Sequence, residues 1–373
     1  MRADINIPEA KAFDAASVAF PAAVFVLSRC LMMLIVMHFS GNCPKLDCLY
    51  HWDALWLNSI AEYGYDIEPR AHLHIFAANW AFLPLYPMLV RFLAMITGMQ
   101  IPIAGIVLSN TAFAATLILL YRYTLQITDK HTARTITILT AISPFSLFYS
   151  LMYTEGLYTA LMLALMYSAR KNRWIIAGIL GVLLSATRNL GVMIVFPMLA
   201  IALCQHGWKQ LLTARRGTEP ALFAIILAPL GLFAYMLFLY NLTGDALAFS
   251  HIQRAWGREI GNPLIYLLGG GILGNGSMKY NDLLALGGII GGIYLWRKQL
   301  KPEALILLIG TLVPLSTGLT SMHRYVGTLF PFMIFIGLLI KERLWLKGAV
   351  FVLFTFLFFF YVWSWTTGKV YLI

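Results

Sequence analysis

Pro84-Leu85-Tyr86-Pro87-Met88-Leu89-Val90-Arg91-Phe92-Leu93-Ala94-Met95-Ile96-Thr97 is the stretch on which the topology of this chain turns. It is apolar except for Arg91, yet fourteen residues make a helix only roughly 21 Å long. A bilayer has ~30 Å of hydrocarbon, and composition makes a bilayer the right yardstick. Of the 373 residues, 60% are apolar and only 12% charged, about half the charge of a soluble globular chain. The mean hydropathy is +0.77. A soluble core cannot take up that much apolar surface, and a small disulfide-stapled module is excluded as well. In a soluble protein the net charge of +11 would suggest nucleic acid; here it must first be tested for sidedness. The chain reads as an all-α polytopic membrane protein.

Upstream, Ser17–His38 is long enough to cross, with Arg29 as its one charge, facing protein or snorkelling. It is too long and too weakly flanked for a cleaved signal peptide. Downstream the apolar runs are Pro102–Tyr123, Thr135–Leu151, Tyr153–Ala169, Trp174–Thr187, Leu190–Gln205 and Pro220–Leu242. After a polar gap come Leu283–Trp296, Pro302–Leu319, Leu329–Ile340 and Leu344–Trp365, about eleven crossings in all. Five connections are basic: Arg122, Lys130 and Arg134; Arg170, Lys171 and Arg173; Lys209, Arg215 and Arg216; Arg297, Lys298 and Lys301; Lys341, Arg343 and Lys347. Two spans separate each consecutive pair, so all five share one side, which the distribution of Lys and Arg makes cytoplasmic. These fifteen cations exceed half of the 27, so the excess charge reports orientation and the nucleic-acid reading falls. If Pro84–Thr97 crossed, the pattern would break. It is therefore read as an interfacial or re-entrant helix, with the amino terminus cytoplasmic and the loops 40–101 and 243–282 outside. The carboxyl terminus then also falls outside, and residues 1–373 form a single membrane domain.

The unusual residues gather in those outer segments. Residues 53–63 suit a short amphipathic helix lying on the bilayer with Trp56, Ile60 and Tyr63 on one face. Asp53 reads in two ways: as the cap of that helix, and as a base held at membrane level by flanking aromatics such as Trp52. Thr187-Arg188-Asn189 interrupts a run too long for one span and too short for two, which puts the turn in a cavity below the surface and makes Arg188 a candidate for an anion. Glu155 begins a helix at a membrane boundary, where it either orients a hydroxyl-bearing substrate or simply favours the helix start. His251, Gln253, Trp256 and Arg258 mix donors, charge and an aromatic platform; they suit a sugar or an ordinary interfacial helix. His323-Arg324-Tyr325 stands between two spans, and an Arg beside a Tyr makes a phosphate clamp. Cys43 and Cys48 share the first outer loop, as a disulfide or as two free thiols, while Cys30 and Cys204 read as buried hydrophobes. His72 and His74, with Asp66 and Glu68 upstream, are only a weak metal-like grouping. No Walker loop, Gly-x-Gly-x-x-Gly unit, His-Glu-x-x-His helix or zinc spacing occurs, so ATP-driven work is unsupported.

His51-Trp52-Asp53-Ala54, Ile60-Ala61, Gly64-Tyr65 and Phe82-Leu83-Pro84-Leu85-Tyr86-Pro87 together resemble the PIG-V family of mannosyltransferases, multispanning enzymes of the GT-C superfamily. Tyr153-Thr154-Glu155, Thr187-Arg188-Asn189 and His323-Arg324-Tyr325 resemble later family blocks in the same order, so the resemblance runs from about residue 17 to 340. It implies a GT-C-type fold of about eleven transmembrane helices, with juxtamembrane helices in the first outer loop, in a prokaryotic relative. It further implies an inverting glycosyltransferase with a polyprenyl-phosphate sugar as donor and a lipid or glycan as acceptor, working from the cell membrane on its periplasmic or extracellular side. Asp53 would be the catalytic residue, taking the proton of the attacking hydroxyl. Arg188 and Arg324, then Arg258, would stabilise the leaving phosphate, and Glu155 would orient hydroxyls. No cofactor is obligatory, because arginines can neutralise that leaving group, although some superfamily members use a divalent metal. The sugar is mannose or another hexose, since nothing in these residues selects the acceptor of the family's eukaryotic members. The competing reading is a transporter or flippase for a lipid-linked saccharide, which needs no base at Asp53; a noncatalytic scaffold leaves Asp53, Arg188 and Arg324 without purpose.

Overall fold

The computed structural model describes residues 15–41, 44–72, 75–268 and 279–369. Every apolar run named above is helical. The elements begin with α1 (Ala15–Phe39), α2 (Asp53–Tyr63), an antiparallel ribbon of β1 (Arg70–His72) on β2 (Ile75–Ala77), α3 (Leu85–Thr97), α4 (Ile101–Thr124) and α5 (Lys130–Ile142). The chain continues through α6 (Glu155–Arg170), α7 (Trp174–Ser185), α8 (Val195–His206), α9 (Trp208–Leu212), α10 (Glu219–Leu227) and α11 (Leu230–Thr243). Three short helices and four long ones complete it: α12 (Ala248–His251), α13 (Pro263–Leu267), α14 (Lys279–Arg297), α15 (Lys301–Leu315), α16 (Met322–Gly327), α17 (Phe330–Ile340) and α18 (Leu344–Thr366).

By length and composition, five helices among the described residues can cross a membrane: Ser17–Phe39, Ile101–Thr124, Asn189–His206, Glu219–Thr243 and Leu344–Thr366. Proline explains why other runs are segmented. Pro144 has no N–H to continue α5, so that helix stops at Ile142 and a 3-10 turn, Pro144–Tyr149, follows. Pro229 likewise divides α10 from α11.

Packing is densest around α6, whose Leu163, Leu165 and Met166 are fully buried between its neighbours α4 and α7. Small residues let helices approach closely, as membrane bundles require. A Cβ on Gly181 of α7 would stand 2.5 Å from that of Ala228, beside α10. Arg29 faces protein, not headgroups. Its guanidinium donates to Ala141 O at 2.9 Å and Ser150 Oγ at 2.6 Å, and it lies over the Phe113 ring. A buried guanidinium can thus satisfy the carbonyls that α5 leaves free at its end.

The opening stretch is α3, thirteen residues and roughly 20 Å long, capped by Gly98 at φ 70°. Tyr86 ties it to α4, donating to Gly105 O at 3.0 Å and sharing a hydrogen bond with Ser109 Oγ at 2.7 Å. Met88, Phe92, Met95 and Ile96 remain exposed on its other face. The face expected for α2 is corrected. Ala54, Leu57, Ile60 and Ala61 are the buried set, and Tyr63 is exposed. The reason is tertiary: α2 packs on α3 and α4, so its inward stripe is chosen by protein and not by a flat bilayer. Cys48 is disulfide-bonded and Cys43 lies outside the described residues. Cys30 and Cys204 are free thiols at exposed positions, not buried as expected. The grouping near His72 does not assemble: Asp66 pairs with Arg70 and accepts from the Asn79 amide, and His74 lies outside the described residues.

Candidate active site

The site begins at a backbone irregularity. Trp52 precedes α2 with φ 57° and ψ −115°, and no side chain caps that helix. The capping reading of Asp53 therefore falls. As the first helical residue, Asp53 turns its carboxylate toward α16, where Oδ2 accepts from Arg324 Nη2 at 2.5 Å. Arg324 is carried one turn into α16, which starts after Ser321 at φ 64°. Its Nε stands 2.8 Å from Glu155 Oε1, an ion contact off the hydrogen-bond line. Glu155 opens α6 and is 1% exposed. The same Oε1 accepts from Arg188 Nη1 at 3.0 Å. Two carboxylates and two guanidiniums thus form one chain, Asp53–Arg324–Glu155–Arg188, drawn from four separate elements.

Aromatic rings fix the guanidiniums from their faces. Arg188 lies over Tyr158 at 5.5 Å and over Tyr325 at 5.4 Å, and Arg258 covers Tyr325 at 5.4 Å while donating to its hydroxyl. Arg324 lies 5.0 Å from the Tyr153 ring centre. These planar cations are held by cation–π attraction as well as by hydrogen bonds. The electrostatics follow. Burial opposes the charge on Arg324, but Asp53 and Glu155 outweigh it and keep the guanidinium protonated far above its ordinary range. Burial would raise the Tyr325 hydroxyl; Arg258, Arg188 and Arg324 overcome it and hold that hydroxyl below its usual value. His323 is pushed down to about 3, first by burial and then by Arg324. It is therefore neutral, and its Nδ1 donates to Asn281 Oδ1 at 3.0 Å.

These groups stand beside a cavity of about 310 Å³. Asp53, Arg188, Asn189, Gln253, Trp256, Arg258, Arg324 and Tyr325 line it together, although the sequence distributes them over more than 270 positions. Four named residues stand elsewhere. Glu155 is buried behind the two arginines. Trp52 is 53% exposed and off the wall. His251 is exposed and pairs with Asp245 at 2.7 Å, and His323 faces Asn281. Also on the wall are Phe82, quoted from the sequence only as part of the Phe82–Pro87 block, and Ser250, Ser316, Thr317 and Ser321, which sequence reasoning missed. A signal existed for one pair: Ser316-Thr317 follows Pro314 at the end of an apolar run. Phe82 stacks parallel to Trp56, and Trp256 meets both rings edge to face, so the aromatic wall is braced by α2 itself.

An apolar groove adjoins the cavity and shares Arg188 and Tyr325 with it. Met193, Ile194 and Pro197 line one side, and Ile306, Ile309 and Leu329 line the other. Among the described residues no three His, Cys, Asp or Glu side chains are grouped to hold a metal ion.

Comparison with solved structures finds an oligosaccharyltransferase from Archaeoglobus fulgidus, in complex with Zn and sulfate, at 13% identity and a TM-score of 0.50. The match covers 92% of this chain and 53% of that one, so this chain spans about half the length of its structural neighbour. The apo form of the same enzyme matches at a TM-score of 0.49 and 13% identity, covering 93% and 56% of the two chains. The likeness is one of fold, a GT-C membrane architecture. No curated protein matches. The family model for Mannosyltransferase (PIG-V) matches residues 24–268. That stretch runs from α1 to α13 and contains Asp53, Glu155, Arg188 and Arg258, so this integral membrane protein belongs to the PIG-V mannosyltransferase family of glycosyltransferases.

Proposed function

We propose that the protein transfers mannose or another hexose, with inversion, from a polyprenyl-phosphate donor to a lipid or glycan acceptor at the periplasmic or extracellular face of a prokaryotic cell membrane. The observation that carries this reading is the carboxylate–guanidinium chain, with Asp53, Arg324 and Arg188 on the wall of a polar cavity that adjoins an apolar groove at Arg188 and Tyr325. Asp53 Oδ2 is held by Arg324, which leaves Oδ1 to take the acceptor hydroxyl's proton. The acceptor oxygen forms its bond to the anomeric carbon as the bond from that carbon to the phosphate oxygen breaks in line, which inverts the centre. The electron pair leaves on the phosphate, and charge develops next to Arg188 and Arg258. Three guanidiniums against two carboxylates leave the site with one positive charge, which matches the single negative charge of a phosphodiester donor. Arg188 and Tyr325 stand where the two spaces meet, so a phosphate there can send its isoprenoid chain into the groove and its sugar into the cavity. Trp256 offers a face for stacking, and Gln253 with the hydroxyls of Ser250 and Thr317 offers partners for sugar hydroxyls.

The experiment is a membrane assay in which purified protein receives polyprenyl-phosphate hexoses and free lipid phosphate is measured. Release that depends on both the protein and an acceptor is expected. Binding or flipping of the donor with its sugar–phosphate bond intact would contradict the reading.

A further inference from the structure

We propose that Arg324 is a built-in cation: it occupies the place between Asp53 and Glu155 that a divalent metal would take, and positions Asp53 for proton removal without one. The proposal rests on the transfer reading above and concerns how its base is held. Asp53 and Glu155 are brought together by the starts of two helices, α2 and α6, and contact one guanidinium at Nη2 and Nε. Two carboxylates held this close cannot both stay charged unless a proton or a cation lies between them. A divalent ion would answer that need with oxygen ligands at roughly 2.0–2.6 Å. Here a planar guanidinium already does, with Nη2 on Asp53 at 2.5 Å and Nε by Glu155 at 2.8 Å.

A metal does not fit the residues present. Arg324 engages Asp53 Oδ2 and Glu155 Oε1, so an ion reaching for the remaining oxygens, Asp53 Oδ1 and the buried, unpartnered Glu155 Oε2, would stand beside a guanidinium that does not release its proton to make room. Nor do histidines supply ligands: the His51 ring packs against Trp365, and His323 Nδ1 is bonded to Asn281. The cation is also fixed in place, since its side chain is 13% exposed and the Tyr153 ring covers it. Having spent its charge on two carboxylates, Arg324 is a positioning residue for Asp53, and the phosphate falls to Arg188 and Arg258.

The test combines metal binding with kinetics on the detergent-solubilised full chain. Electron paramagnetic resonance of added Mn²⁺ should show no bound ion in the wild type. Arg324→Ala should bind one Mn²⁺, and Arg324→Ala with Asp53→Asn should lose it again. Wild-type transfer should proceed equally in EDTA and in Mn²⁺. Arg324→Lys, which keeps the charge but not the fork, should lose on the order of 10²-fold in kcat, as a misplaced catalytic group does. Its donor KM should move less than about threefold, because a uniform loss of donor binding is what raises KM alone. A wild-type protein that binds Mn²⁺ through Asp53, or whose transfer stops in EDTA and returns with Mn²⁺, overturns the proposal. So does an Arg324→Lys defect confined to donor KM, which would make Arg324 a phosphate ligand. The Mn²⁺ spectra are read without any transfer assay, so a failure of the transfer reading and a failure of this proposal remain distinct.

Discussion

At Trp52 the backbone takes a positive φ with ψ −115°, a sparsely populated conformation that costs on the order of 1–3 kcal/mol, and the next residue is the carboxylate bound to Arg324. Strain of this kind persists where the surroundings impose it, often at functional sites. Here the effect is geometric: it starts α2 without a cap and leaves Asp53 free to point inward. His323 shows the reverse case, a residue from a promising motif that the fold makes silent. Its ring is neutral because burial and Arg324 hold it at about 3, while the unfolded chain returns it to about 6.5. Between those values the unfolded state binds the extra proton, so acidification from pH 6.5 toward 3 favours unfolding, at up to about 1.4 kcal/mol per pH unit. Thermal unfolding of the solubilised protein should thus lose midpoint as pH falls through this window, and His323→Gln should flatten that dependence. An unchanged acid dependence in the variant would show that the ring is not held neutral.

The turn between α7 and the 3-10 segment Asn189–Ile194 is the element that presents Arg188. It is tight because Gly191 approaches the last turn of α7: a Cβ there would stand 2.3 Å from Leu184 O, closer than any real contact. Gly191→Ala must push that turn open, destabilise the protein by roughly 1–3 kcal/mol and move Arg188 from Glu155. The expected outcome is a lower melting midpoint together with a raised donor KM; wild-type values of both would mean that this turn does not place Arg188. The sequence made this turn legible because Thr187-Arg188-Asn189 interrupts the apolar stretch Trp174–Gln205, and Arg324 and Tyr325 were legible as an Arg beside a Tyr between two apolar runs. The octet 251–258 was legible only in part. Positions two apart on a helical turn point to nearly opposite sides, so Gln253 reaches the wall while His251 turns outward to Asp245. The face of α2 was misjudged for a related reason, since periodicity finds a stripe but not its partner.

For the whole molecule, hydropathy alone anticipated the long apolar helices, and Pro144 and Pro229 stand where two of those runs break. What it could not supply was the third dimension. Nothing local in Glu155 indicates that it lies behind two arginines, nor that the serines and threonines beyond α15 complete a wall. Those placements depend on how α2, α6, α15 and α16 meet. The same assembly sorts the cations: Arg188, Arg258 and Arg324 gather at the cavity, while the basic connections such as Arg170 and Lys171 end α6 at its other end, where Arg170 pairs with the buried Glu303. Asp53 and Arg324 are separated by 271 positions, and only the complete bundle makes them one unit. The central claim is that this unit removes a proton during sugar transfer. The most direct measurement is the initial rate of hexose transfer from polyprenyl phosphate by Asp53→Asn, made at equal folded protein and saturating donor. The account predicts a loss on the order of 10²–10⁴-fold with donor binding retained; transfer at the wild-type rate would contradict it.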